Sequence, residues 1–186
     1  VRSSAASDVY KRQAKNTENP QNSLLSEASK ALFAQISAKA PVPYNFLGDY
    51  EIKNAGNAKL YKLATGQKVV ILNKKGPTVL KSYFNVGSMN EPDNLRGISH
   101  FDEHMAFNGA KGLGAGEFFK ITNDMGAITN ASTGFSMTDY FISSQLLNPG
   151  DFEESVRIHA AMLQNPEYSP EMVEKERGPV TSEISM

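Results

Sequence analysis

The stretch His100-Phe101-Asp102-Glu103-His104 decides how this chain is to be read. It sets two imidazoles four residues apart, with a carboxylate between them, inside a segment whose pattern is helical. On a helix, residues i, i+3 and i+4 share a face, so His100, Glu103 and His104 project from about one third of the circumference. One small patch therefore offers two nitrogen ligands and a proton acceptor: a zinc grip with its own base.

The elements around the motif follow from punctuation and periodicity. Gly87 to Arg96 reads as a loop rich in Asn, Pro and Asp, Gly97 to Phe107 as the motif helix, and Asn108-Gly109, tolerant of left-handed backbone, as its stop. A second helix is predicted from about Ala115 to Met125, stopped by Gly126. Upstream, alternation with the turn signals Thr65-Gly66 and Lys75-Gly76-Pro77 predicts strands near 58–63, 68–73 and 78–86, read as an antiparallel meander. Downstream, strands near 127–133 and 136–146 meet at Gly134 as a half-buried hairpin. Tyr140, Ile142 and Ser144 fall on one face, and Phe141, Ser143 and Gln145 on the other. Asp151 to Leu163 is patterned as an amphipathic helix, and Ser169-Pro170 opens a last one with a capping residue and a first-turn proline. Phe107, Phe118 and Phe119 are read as core.

Before these elements, Val1 to Gln13 lack the apolar core of a signal peptide and are expected to be non-native sequence, and Ala14 to Ser23 read as a disordered leader. Leu24, Leu25, Ala28, Leu32, Phe33 and Ile36 make one helical stripe closed by Pro41 and Pro43. The expected organisation is thus a leader over 1–23, a helix and linker over 24–57, and one domain over 58–186, incomplete at its C-terminal end.

Size and composition agree with a single core, since 186 residues with 40% hydrophobic content are too few for two comfortable domains. A formal net charge of -1, without any basic block, gives no footprint for nucleic acid or an anionic membrane. No run of about 18 apolar residues is present, so no membrane span is expected. Cysteine is absent, which excludes disulfides, thiolate zinc sites and thiol catalysis. Any metal must be held by His and carboxylate.

Catalytic zinc takes three protein ligands and keeps a fourth position open. Of the three histidines, His159 falls on the apolar stripe of its helix and is read as having no catalytic duty, so the missing ligand is sought among carboxylates downstream. Glu176 and Glu183 both qualify: they are seven residues apart, two helical turns, on nearly the same face.

Three ordered blocks make the resemblance specific: His100 to Gly109 (HFDEHMAFNG), Asn130-Ala131-Ser132-Thr133 with Thr138 and Tyr140, and Glu174 to Met186 (EKERGPVTSEISM). Together they resemble the pitrilysin family of zinc peptidases, the inverzincins with the H-x-x-E-H motif, which include insulin-degrading enzyme and the mitochondrial processing peptidase. The likeness covers roughly Ala58 to the end of the chain. It implies an α/β fold of the α+β type, with an antiparallel or mixed sheet covered by helices, and a zinc endopeptidase acting on extended or unfolded peptides. Carried over by position, it implies one Zn2+ held by His100, His104 and Glu183, Glu103 as general base, and Glu176 as a supporting catalytic carboxylate. It also implies a substrate strand at Asn130, Ala131, Ser132 and Thr133, pairing with peptide through main-chain hydrogen bonds.

Two positions depart from the family pattern. Pro179, with Gly178 before it, stands where the family usually has an apolar residue, and a kink there would take Glu183 off the face of Glu176. Asp102 stands where an apolar residue is common. Family members also pair this module with at least one further related domain that supplies transition-state groups, so zinc binding is a firmer expectation for this chain than turnover. Relatives occur in bacterial cytoplasm and periplasm, and the compartment is left open. The competing reading is a non-catalytic structural or peptide-binding subunit of the same fold.

Overall fold

The structure, a computed structural model, describes residues 43–184. The expected leader and the expected helix near 24–36 lie outside the described residues. Two three-stranded antiparallel sheets and four α-helices make up the described part. The first sheet joins β1 (Tyr44–Ile52), β2 (Gly56–Leu63) and β3 (Lys68–Leu72) in the order β1-β2-β3. The second joins β4 (Thr78–Phe84), β5 (Ile128–Thr133) and β6 (Thr138–Ser144) in the order β4-β6-β5.

Two expectations change. The stretch read as linker contains β1, which pairs with β2 from Tyr44↔Leu63 to Ile52↔Gly56. Its residues are exposed on both faces and its register shifts between Phe46 and Gly48, so no clean alternation advertised it. The expected three-strand meander is also divided: β2 and β3 pair as read, but β4 leaves them for β6, with Leu80 opposite Ile142 and Ser82 opposite Tyr140. Pro77 lacks an amide and Gly76 has φ 123°, so Lys75-Gly76-Pro77 redirects the chain instead of closing a hairpin.

The hairpin of β5 and β6 forms as its pattern demands. β6 is central in its sheet, and Thr138, Tyr140, Ile142 and Ser144 are buried on one face. Against that face pack α1 (Ile98–Phe107), α2 (Glu117–Asp124) and α3 (Asp151–Gln164), while α4 (Pro170–Ile184) lies along α1. Phe118, Leu113, Ile142, Ile158 and Met162 are all but inaccessible and centre the core. Burying a side chain such as Phe118 contributes about 2–3 kcal/mol. Phe119 differs from the reading: adjacent helix positions cannot both face inward, and it is exposed while stacking on Phe107 at 5.5 Å.

The loop after β4 is held on the β5–β6 hairpin by Ser88 N–H to Gly134 O (3.1 Å) and Met89 N–H to Phe135 O (2.9 Å). That contact requires Gly87, where a Cβ would meet Gly134 O at 2.4 Å. No helix among the described residues is long and apolar enough to cross a membrane.

Candidate metal centre

The motif helix begins on a fixed anion. Glu91 accepts the Gly97 amide at 2.7 Å and the Ser99 amide at 2.9 Å, occupying donors that a helix start leaves unpaired. Those backbone bonds, Gly97 first, hold the Glu91 carboxyl below the usual range. One turn on, the His100 and His104 rings stand nearly perpendicular, at 84°, with their Nε2 atoms 3.2 Å apart.

Glu183 completes the group from α4. Its Oε2 is 3.3 Å from His104 Nε2 and its Oε1 is 3.8 Å from His100 Nε2. The three residues can each offer one ligand atom within 4.8 Å of the others. Zinc with bonds of 2.0–2.2 Å in tetrahedral geometry needs ligand atoms about 3.3–3.5 Å apart, so the chain's own spacing fits the ion with small adjustments.

The far side of His104 fixes which nitrogen faces the centre. Its Nδ1 lies 2.9 Å from Glu176 Oε1, so this nitrogen donates to the carboxylate and Nε2 is left with a free lone pair. Asn108 donates to Glu176 Oε2 at 2.7 Å and approaches the His104 carbonyl at 3.4 Å. Burial works to raise the Glu176 pKa, but the bonds from Asn108 and then His104 outweigh it and hold the carboxyl below its ordinary value.

The kink that Gly178-Pro179 could introduce does not occur, and α4 runs unbroken from Pro170 to Ile184. Pro179 is on the exposed side of the helix, and Val180 beside it is buried as an anchor. The helix loses one ladder bond rather than its direction. Glu176 and Glu183 therefore both reach the histidines.

Glu103 is 7% exposed, and its Oε2 accepts a hydrogen bond from the Thr133 hydroxyl at the end of β5. β5 is an edge strand: among the described residues its only partner is β6. The Ala131 amide is taken by Asn130 Oδ1 at 2.9 Å. Asn130, Ala131, Ser132 and Thr133 thus form one strip, but the Thr133 side chain is turned to Glu103 and the Ser132 hydroxyl donates to Asp139 at 2.9 Å. Beneath, the Tyr140 phenol is pushed up by burial and then by the charges of Asp102 and Glu103, which keeps it protonated.

His159 takes no part. It sits on α3 with Nε2 2.9 Å from Ser82 Oγ, and burial lowers its pKa to about 4. Reading the sequence missed Asn108, whose place four residues after His104 on one helix face was the available signal, and the tie from Tyr168 to Asp102. No local pattern announced the second of these.

The geometry is matched by likeness to known proteins. The family model described as Insulinase (Peptidase family M16) matches residues 69–186. A relative named zinc protease PqqE, from Helicobacter pylori, is 37% identical over 117 residues, covering 59% of this chain and 26% of its own length. A solved protease from Helicobacter pylori superposes with a TM-score of 0.62 at 31% identity, over 68% of this chain and 30% of that one. Pitrilysin shares the fold at a TM-score of 0.69 and 20% identity, covering 78% of this chain and 16% of its own. The chain thus spans about a quarter of the first of these relatives. On the match over residues 69–186, this chain belongs to the insulinase family of peptidases, M16.

Proposed function

We propose that this chain carries the zinc centre and general base of an endopeptidase that cleaves extended or unfolded peptides. The observation supporting this most is the convergence of His100, His104 and Glu183 within 4.8 Å, with Glu103 on the same helix. Zinc held there supplies Lewis acidity, making a water more acidic and polarising the scissile carbonyl.

The chain's own residues supply the rest. Peptide docks as an added strand on the open edge of β5, along Asn130 to Thr133, where main-chain hydrogen bonds favour extended segments. Glu103 takes the proton of the attacking water and delivers it to the leaving amine nitrogen, so the carboxylate returns to its starting state and no acyl-enzyme forms. Glu176 orients His104 through Nδ1. A further related domain, as a continuation of the chain or a partner subunit, encloses the substrate from the other side.

Metal analysis of the chain beside Glu103→Gln, each joined to a C-terminal half and offered an unfolded peptide, tests this. The expected result is about one zinc per chain in both proteins and cleavage only by the first, because the substitution removes the base and spares the ligands. Zinc far below that ratio removes the metal reading. Zinc retained without cleavage by the unsubstituted protein supports a peptide-binding subunit instead.

A further inference from the structure

Asp102 has no place in the chemistry above, although it lies inside the motif. On α1 it points away from His100 and His104, and it accepts a hydrogen bond from the Tyr168 hydroxyl. Tyr168 lies in the loop that leads into α4, two residues before the helix that carries Glu176 and Glu183. We infer that the Asp102–Tyr168 hydrogen bond is a positioning tie that sets α4 against α1 and so holds Glu183 in reach of the metal. This inference rests on the zinc reading and adds the residues that align its third ligand.

As a continuous helix, α4 moves as a rod. Its strong polar contact with α1 in mid-course is Glu176, bonded to His104 and Asn108. Burial of Val180 keeps the rod against the domain, but apolar packing of one side chain leaves its angle about Glu176 free to change. Glu183 is seven residues to one side of that pivot, about 10 Å along the axis, and the start of the rod at Pro170, two residues after Tyr168, is about 9 Å to the other. A displacement near Tyr168 is therefore transmitted at similar size to Glu183, where shifts of about 1 Å exceed what a zinc ligand tolerates.

The entering loop also bonds to the turn just after α1 through Lys111 N–H to Asn165 O (2.9 Å) and Glu167 N–H to Gly109 O (3.0 Å). Those bonds act at the C-terminal end of α1, whereas Tyr168 reaches back to its middle and fixes a second direction. Packing around the entering loop itself is incomplete. Beside the tie is a cleft of about 200 Å³ bordered by Ser99, Asp102, Tyr140, Met162 and Tyr168, so that flank of α1 is not filled by side chains. The tie spans the cleft and replaces the apolar contact that a larger residue at position 102 would make.

Zinc dissociation constants measured by chelator competition on the chain test the inference through a double-mutant cycle with the ligand itself. Tyr168→Phe, which removes only the hydroxyl, should weaken zinc roughly three- to tenfold. In a Glu183→Gln background, where there is no ligand left to align, the same change should have no effect. Asp102→Asn keeps an acceptor and should retain most of the affinity that Asp102→Ala loses. Equal losses in both backgrounds, or none in either, would overturn the tie while leaving the zinc reading intact. An unsubstituted chain that takes up no zinc would overturn both.

Discussion

His104 is held from two sides by one helix: Glu176 takes its Nδ1 at 2.9 Å and Glu183 faces its Nε2 at 3.3 Å. The same ring is thus oriented by one α4 carboxylate and shares the centre with the other. Carboxylate partners behind ligating histidines typically govern about 10–100-fold in metal affinity. Glu176→Ala is expected to weaken zinc by that order, measured by chelator competition. Glu176→Gln keeps one oxygen for Nδ1 but sets an amide group against the Asn108 amide, so its loss should be smaller and should shrink further when combined with Asn108→Asp.

Thr133 links the open edge of β5 to Glu103, the proposed base. A buried carboxylate with one oriented donor keeps a defined rotamer, and loss of that donor leaves Glu103 free to turn. Thr133→Val preserves volume and removes the hydroxyl, so kcat for peptide cleavage by the complete protein should fall about 10–100-fold, with KM and zinc content little changed. Thr133→Ser should recover most of the rate. A fall in KM-dependent binding alone would place Thr133 with the substrate instead.

What could be read from the sequence was local. H-x-x-E-H gives its own geometry because helix spacing is fixed, and β6 declared itself because Tyr140, Ile142 and Ser144 alternate with half-buried residues. The transfer of β4 away from β3 was not legible, since strand pattern says which face is buried and not which neighbour is chosen. β1 was hidden by exposure on both faces and by its irregular register at Leu47. Glu183 could be nominated by likeness alone, because only the packing of α4 along α1 brings residues 83 positions apart to one centre. The effect of Pro179 could not be read either: local rules give the cost of the lost bond, but not the anchoring of the next turn by Val180.

His159 should make stability depend on pH. Its folded pKa is about 4 against an ordinary 6.5, because burial disfavours the charged ring. Between those values the unfolded chain binds a proton that the folded chain refuses, so stability is full above pH 6.5 and falls as pH drops towards 4. The contribution at stake is about 3 kcal/mol at most. Urea unfolding of the chain at pH 7 and pH 5 should show the loss, and His159→Gln should flatten it. An unchanged slope in the variant would assign the acid sensitivity to the carboxylates.

Gly87 is required for space, not for backbone freedom, since its φ of -160° is open to any residue. A Cβ there would lie 2.4 Å from Gly134 O and 2.8 Å from both Met137 N and Phe135 O. All three are backbone atoms of the hairpin and cannot rotate aside, so Gly87→Ala must push the loop and hairpin apart. Overpacking of this kind costs about 1–3 kcal/mol, which for a chain of this size lowers Tm by about 2–12 °C. Gly114→Ala is the control: its Cβ would meet only Glu117 Oε2, at an ordinary 3.6 Å, and should leave Tm unchanged. Because the displaced hairpin carries Thr133, Gly87→Ala should also slow cleavage more than its loss of folded protein explains, whereas zinc bound by α1 and α4 should be retained.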